Sequence, residues 1–77
     1  MTLTVHISES LRSVAKDLPK TVLVEKSTST TIRQLALDIG IPPILIVFAT
    51  ADGVKKGLDE VIAGEAEIHF FGTIAGG

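Results

Sequence analysis

The sequence predicts a small α+β domain in which one main helix covers one face of a mixed β-sheet. Three observations predict this class. The 77 residues are enough for one domain. Segments with strand periodicity are interspersed with two helical segments. The second helical segment carries both a start and a stop signal. One apolar helix stripe suffices to cover one face of a small sheet, which gives a two-layer α+β architecture.

The first half of this pattern is a strand followed by a short helix. Residues 2–8 alternate apolar and polar side chains, which predicts a half-buried strand. Residues 11–18 carry apolar side chains at i, i+3, i+4 and i+7, the spacing of one helix face. We expect Ser8 or Ser10 to cap this helix and Pro19 to end it.

The main helix lies in the middle of the chain, after a second strand. Residues 21–25 are rich in β-branched side chains and predict that strand. Thr31 is the expected N-cap of the helix, with Gln34 three residues on in the spacing of a capping box. Gly40 stands where a left-handed residue ends a helix, and two prolines soon follow it.

The second half of the chain is predicted to complete the sheet. Residues 44–49 form a nearly continuous apolar run, which favours a strand buried on both faces. Residues 51–53 predict a turn into a short return strand over residues 54–56, whose lysines suit an exposed edge. We expect residues 57–65 to form a loop with one helical turn.

The last strand is predicted over residues 66–71. Ile68 and Phe70 share one face, and Phe71 falls on the other, where it is either exposed to a partner or covered by the twist of the sheet. Residues 72–77 follow without a charged side chain and end on two glycines. Extended, these six residues reach about 20 Å. Glycine lets backbone enter a channel too narrow for side chains, although small residues are also common at disordered chain ends.

Composition excludes several classes of function. Nine acidic and seven basic residues give a net charge of −2, whereas a nucleic-acid-binding domain normally has a basic excess. No apolar run approaches the roughly 20 residues of a membrane span, and no signal peptide is evident. The absence of cysteine excludes disulfides, thiol catalysis and cysteine-ligated metals. We therefore expect a cytoplasmic protein without nucleic-acid or membrane partners, too small for an enclosed active site.

The element order and the diglycine ending together resemble the ubiquitin-like β-grasp sulfur carriers, the small subunit of molybdopterin synthase and the thiamine-biosynthesis sulfur carrier. The resemblance covers essentially the whole chain. It is most specific over residues 64–77, where a Gly-Glu turn, an apolar strand with terminal aromatic residues and an Ile-Ala-Gly-Gly ending follow one another. It implies four to five strands packed on one main helix over residues 1–71, with a short helix after the first strand, and a flexible tail over residues 72–77.

The resemblance also implies a function in which the chain is a carrier and not an enzyme. An ATP-dependent adenylyltransferase of the ubiquitin-activating type would adenylate the Gly77 carboxylate, and a persulfide donor would convert it to a thiocarboxylate. Gly76, Ala75 and Ile74 would thread the partner's channel, with Phe71 and Ile74 as partner contacts. The sulfur would pass to a molybdopterin synthase large subunit or to a thiazole synthase. No cofactor is expected on the chain, since the partner uses the ATP.

Three alternatives remain open at this point. The pathway is undecided, because the helix after the first strand is closer to the molybdopterin type whereas the ending Ile74–Gly77 is common in the thiamine type. The chain could instead be a modifier that forms isopeptides with lysines, or an interaction module that never uses its tail. His6 and His69 fall on one sheet face, but two histidines without a third ligand make a poor metal site, so no metal is predicted.

Overall fold

The computed structural model describes residues 1–15 and 17–73. Its elements in chain order are β1 (Thr2–Ile7), α1 (Glu9–Val14), β2 (Thr21–Glu25), β3 (Thr30–Thr31), α2 (Ile32–Ile39), a 3₁₀ turn (Pro43–Leu45), β4 (Ile46–Ala51), β5 (Val54–Lys56), β6 (Val61–Ile62) and β7 (Ala66–Gly72). The predicted order of the main strands and both helices is therefore confirmed. Among the described residues, no helix is long and apolar enough to cross a membrane.

Five strands form one mixed sheet in the order β2-β1-β7-β4-β5. The central strand β7 runs parallel to β1 and antiparallel to β4, and the outer pairs are antiparallel. The short strands β3 and β6 form a second, two-stranded ladder. The end of β7 thus lies in the middle of the main sheet. The chain therefore leaves β7 at the centre of the sheet and not at its edge.

Helix α2 forms as its sequence signals predict. The Thr31 hydroxyl accepts a hydrogen bond from the Gln34 amide at 3.1 Å, and Gly40 has φ of 100° in the left-handed region. The capping box is not reciprocal, because the Gln34 side chain donates to Asp38 at 2.9 Å instead. Asp38 also accepts from Lys26, and these two hydrogen bonds lower the pKa of its carboxyl group, with that from Lys26 contributing most.

The core lies between α2 and the inner face of the sheet. The sheet contributes the buried side chains of Leu3, Val5, Ile7, Ile46, Ala49, Ala51, Ile68 and Phe70, and α2 those of Ile32, Leu35 and Ala36. The predicted inward face of the last strand is confirmed, since Ile68 and Phe70 have no exposed surface. The opposite face of the sheet, called the outer sheet face below, carries the side chains of His6, Phe48, Lys55, Glu67, His69 and Phe71.

Helix α1 is shorter than predicted. It ends at Val14, and Ala15 leaves helical geometry with φ of −129° and ψ of 85°. Within α1 only Leu11 is buried, whereas Val14 is 65% exposed. So short a helix makes few hydrogen bonds of its own and depends on packing for its stability. Because Leu11 alone anchors α1 in the core, the helix does not extend to Pro19. Ser8 occupies the N-cap position, but its hydroxyl forms no capping hydrogen bond.

Two predictions for the second half were wrong. The run 44–49 is not one strand buried on both faces: it begins as the 3₁₀ turn, and Val47 in β4 is 61% exposed. Strand β4 is antiparallel to both neighbours, and one face of such a strand commonly meets solvent. The expected helical turn within residues 57–65 is also absent, because Val61 and Ile62 pair with Thr31 and Thr30 as β6.

Candidate functional site

The candidate site is the place where the chain leaves the central strand. Strand β7 continues through Gly72, which pairs with Ile46 of β4, so the chain departs from the sheet one residue later than predicted. Thr73 is the last described residue. The predicted site residues Ile74, Ala75, Gly76 and Gly77 lie outside the described residues.

Gly72 holds this departure point against helix α1. Its amide donates to the Ser10 hydroxyl at 3.2 Å. A Cβ atom at this position would lie 2.9 Å from Leu11 Cδ2 and 3.0 Å from Leu11 Cγ, shorter than an ordinary carbon–carbon contact. Leu11 is only 1% exposed, so its side chain has little room to move. Sequence reasoning placed Gly72 in the tail, because the close approach of α1 that requires glycine here has no local sequence signal.

This packing predicts that Gly72→Ala destabilises the domain. Forcing a methyl group against Leu11 should lower the free energy of unfolding by about 1–3 kcal/mol, the usual range for overpacking. Gly64→Ala is the matched control, because nothing lies within 4 Å of a Cβ at Gly64 and its φ is outside the left-handed region. Urea denaturation followed by circular dichroism measures both variants. Equal unfolding free energies for the two variants would show that position 72 is not packed closely against Leu11.

An aromatic pair lies on the outer sheet face beside this departure point. The rings of Phe48 and Phe71 are stacked, with centroids 4.5 Å apart and an interplanar angle of 16°. Both side chains are half-buried, and the two residues are paired between β4 and β7. The Lys55 ammonium nitrogen lies 5.5 Å from the centroid of the Phe48 ring, within cation–π distance. Phe71 is thus on the predicted face, stacked and partly accessible.

A polar cluster adjoins the aromatic pair on the same face. The rings of His6 and His69 are stacked with centroids 4.5 Å apart, and the His69 ring lies 6.2 Å from that of Phe71. Glu67 Oε1 lies 2.7 Å from His6 Nε2. Sequence reasoning identified both histidines but did not recognise Glu67 as their partner. The available signal was its position two residues before His69 in a strand, since such residues share a face.

The adjacent acidic residues Asp59 and Glu60 in the loop before β6 both have structural partners. Arg33 donates two hydrogen bonds to Asp59, at 2.9 and 3.2 Å, and these lower the pKa of the Asp59 carboxyl group. Glu60 accepts from the Gly57 amide at 3.1 Å and lies 3.6 Å from the Lys56 ammonium nitrogen. These contacts anchor the loop 57–60 against α2 and β5. Both carboxylates therefore have partners, and they do not form a free acid pair of the kind that general acid–base catalysis needs.

Comparison with known proteins identifies the fold. The chain is similar to SAMP1 from Haloferax volcanii in its crystal structure, with a TM-score of 0.69, 23% sequence identity and complete coverage of both chains. No family model matches the chain. No curated protein matches it either. The fold is therefore the predicted ubiquitin-like β-grasp, a mixed five-stranded sheet packed on one main helix. Because a fold hosts many functions, the function has to be argued from the site.

Proposed function

We propose that this protein is a sulfur carrier whose Gly77 carboxylate is adenylated and then converted to a thiocarboxylate. One observation supports the proposal most strongly. The last strand is the central strand of the sheet, and it ends beside a partly accessible aromatic pair, Phe48 and Phe71. Five residues follow Gly72, and the last two of them are glycines. A partner seated on the outer sheet face would lie beside the point from which the chain continues toward Gly77.

The chemistry needs activation because a carboxylate has no good leaving group. The Gly77 carboxylate attacks the α-phosphorus of ATP, which releases pyrophosphate and leaves an acyl-adenylate. The terminal sulfur of a persulfide then displaces AMP, and a thiol cleaves the resulting acyl disulfide to give the thiocarboxylate and a mixed disulfide. The carrier supplies only the acyl group, since the adenylyltransferase positions ATP and provides the acid–base groups.

The outer sheet face is the proposed docking surface for that adenylyltransferase. Phe71 and Phe48 offer an aromatic anchor of the kind that is enriched in interface hot spots. Lys55 beside Phe48 adds one positive charge at the rim. Ile74, two residues beyond the end of β7, would add an apolar contact, and residues 75–77 would enter the partner's channel. After thiolation, the same end would deliver sulfur to a molybdopterin synthase large subunit or a thiazole synthase in the cytoplasm. The ATP would be bound by the adenylyltransferase and not by the carrier.

Conjugate formation in cells distinguishes a carrier from a protein modifier. An N-terminally tagged chain is expressed in its native host and immunoblotted under denaturing conditions. The control chain carries one additional alanine after Gly77, which moves the carboxylate away from the diglycine. A chain that acts as a carrier alone predicts the same single band for both chains. A ladder of larger bands that is seen only with the native ending would contradict that and show that Gly77 also forms isopeptides with lysines.

A further inference from the structure

We infer that His6, Glu67 and His69 form a binding site for a divalent transition-metal ion, best suited to Zn²⁺. Each side chain offers one ligand atom, and these atoms lie within 4.8 Å of one another on the outer sheet face. The imidazole of His6 is already 2.7 Å from the Glu67 carboxylate, and its ring is stacked on that of His69. Side-chain rotations that bring these atoms to about 2.0–2.2 Å from one ion would complete the site.

The backbone brings these ligands together without a loop. Strands β1 and β7 are parallel neighbours, in a register that places His6 opposite His69 and Thr4 opposite Glu67. Glu67 and His69 are two residues apart on β7, so both point to the outer sheet face. Both strands lie within the five-stranded sheet, each with a neighbour on either side. Ligands on rigid strands hold their geometry better than ligands on loops.

The chemistry of the three ligand atoms determines which class of metal ion the site would bind. Two imidazole nitrogens and one carboxylate oxygen are ligands that Zn²⁺ accepts, whereas Mg²⁺ and Ca²⁺ prefer oxygen ligands alone. Three protein ligands leave the fourth tetrahedral position to water. The Thr21 hydroxyl lies 3.4 Å from His6 Nδ1, on the side of the ring away from Glu67. Such a neighbour orients a metal-binding histidine by engaging its other nitrogen.

The position of the site suggests what the metal would do. The His69 ring is 6.2 Å from the Phe71 ring, so an ion held there would border the aromatic pair. Its open coordination position would face solvent and would be free to accept a side chain from a bound protein. Metal binding by the isolated chain requires neither the tail nor an activating enzyme. It can therefore be tested independently of the proposed sulfur chemistry.

Isothermal titration of tag-free protein with ZnCl₂ at pH 7.5 tests the site. We expect one ion per chain, and at least about a ten-fold loss of affinity in Glu67→Gln and in His69→Ala, because each removes a ligand. Glu25→Gln is the matched control, since Glu25 is exposed on the same face, opposite Thr2, and the change in charge is identical. This variant should bind like wild type.

Imidazole nitrogen resonances provide a second readout on folded protein. Nitrogen-15 NMR of the two histidine rings during the zinc titration should show both rings shifting in step with the first equivalent of metal. Circular dichroism of each variant establishes that it is folded before its affinity is compared. Absence of a one-equivalent binding event in wild type, or equal affinities for Glu67→Gln and Glu25→Gln, would overturn the assignment.

Discussion

Replacing Phe70 with alanine should remove a large part of the stability of the domain. Phe70 has no exposed surface and lies on the central strand, where it belongs to the core beneath α2. Truncating a buried phenylalanine typically costs about 3–5 kcal/mol. The total free energy of unfolding of a domain of this size is about 4–12 kcal/mol. Urea denaturation followed by circular dichroism should therefore show a strongly lowered midpoint, and a loss below about 1 kcal/mol would contradict the core assignment.

Phe71→Ala is the matched comparison, because the same chemical change falls on the other face of the same strand. It removes the stack with Phe48, which is worth about 0.5–1.5 kcal/mol beyond area burial, so its unfolding midpoint should fall less than that of Phe70→Ala. If the outer sheet face docks the adenylyltransferase, affinity for that enzyme should fall about 30-fold, the effect of a 2 kcal/mol hot spot. Unchanged affinity would exclude Phe71 as an anchor.

Deleting Gly76 and Gly77 should abolish activation of the chain. The deletion moves the terminal carboxylate two residues closer to the domain and places it on a residue that has a side chain. ATP–pyrophosphate exchange catalysed by the adenylyltransferase should fall to the level seen without the chain. Binding through the outer sheet face should persist, since Phe48 and Phe71 are unaltered. Exchange at the wild-type rate would show that the diglycine is not the reacting end.

The helix α2 and the strands β2 and β7 could be predicted from sequence because their signals are local. Thr31 and Gly40 mark the two ends of α2 within ten residues of each other, and the structure realises both caps. Strand β2 has the predicted bounds, Thr21–Glu25. The face assignment of the last strand also follows from the two-residue period alone, and it correctly separated Phe70 from Phe71.

Features that depend on distant partners could not be predicted in the same way. Strand β6 exists because Val61 and Ile62 meet β3, about 30 residues away. The need for glycine at position 72 arises from Leu11, on an element at the other end of the chain. The direct pairing of His6 with His69 follows only once β1 and β7 are known to be parallel and in register. In each case the missing information was which strands and helices are neighbours.

Intact-mass spectrometry shows directly whether the Gly77 carboxylate becomes a thiocarboxylate. The purified chain is incubated with the proposed partner, a ubiquitin-activating-type adenylyltransferase, together with ATP, a persulfide donor and a reducing thiol, and the Gly76-Gly77 deletion is treated identically. The wild-type chain should gain the mass difference between one sulfur and one oxygen, while the deleted chain should stay unchanged. A wild-type mass that remains unchanged, under conditions in which the same enzyme and donor thiolate an established carrier, would rule out the proposed sulfur chemistry.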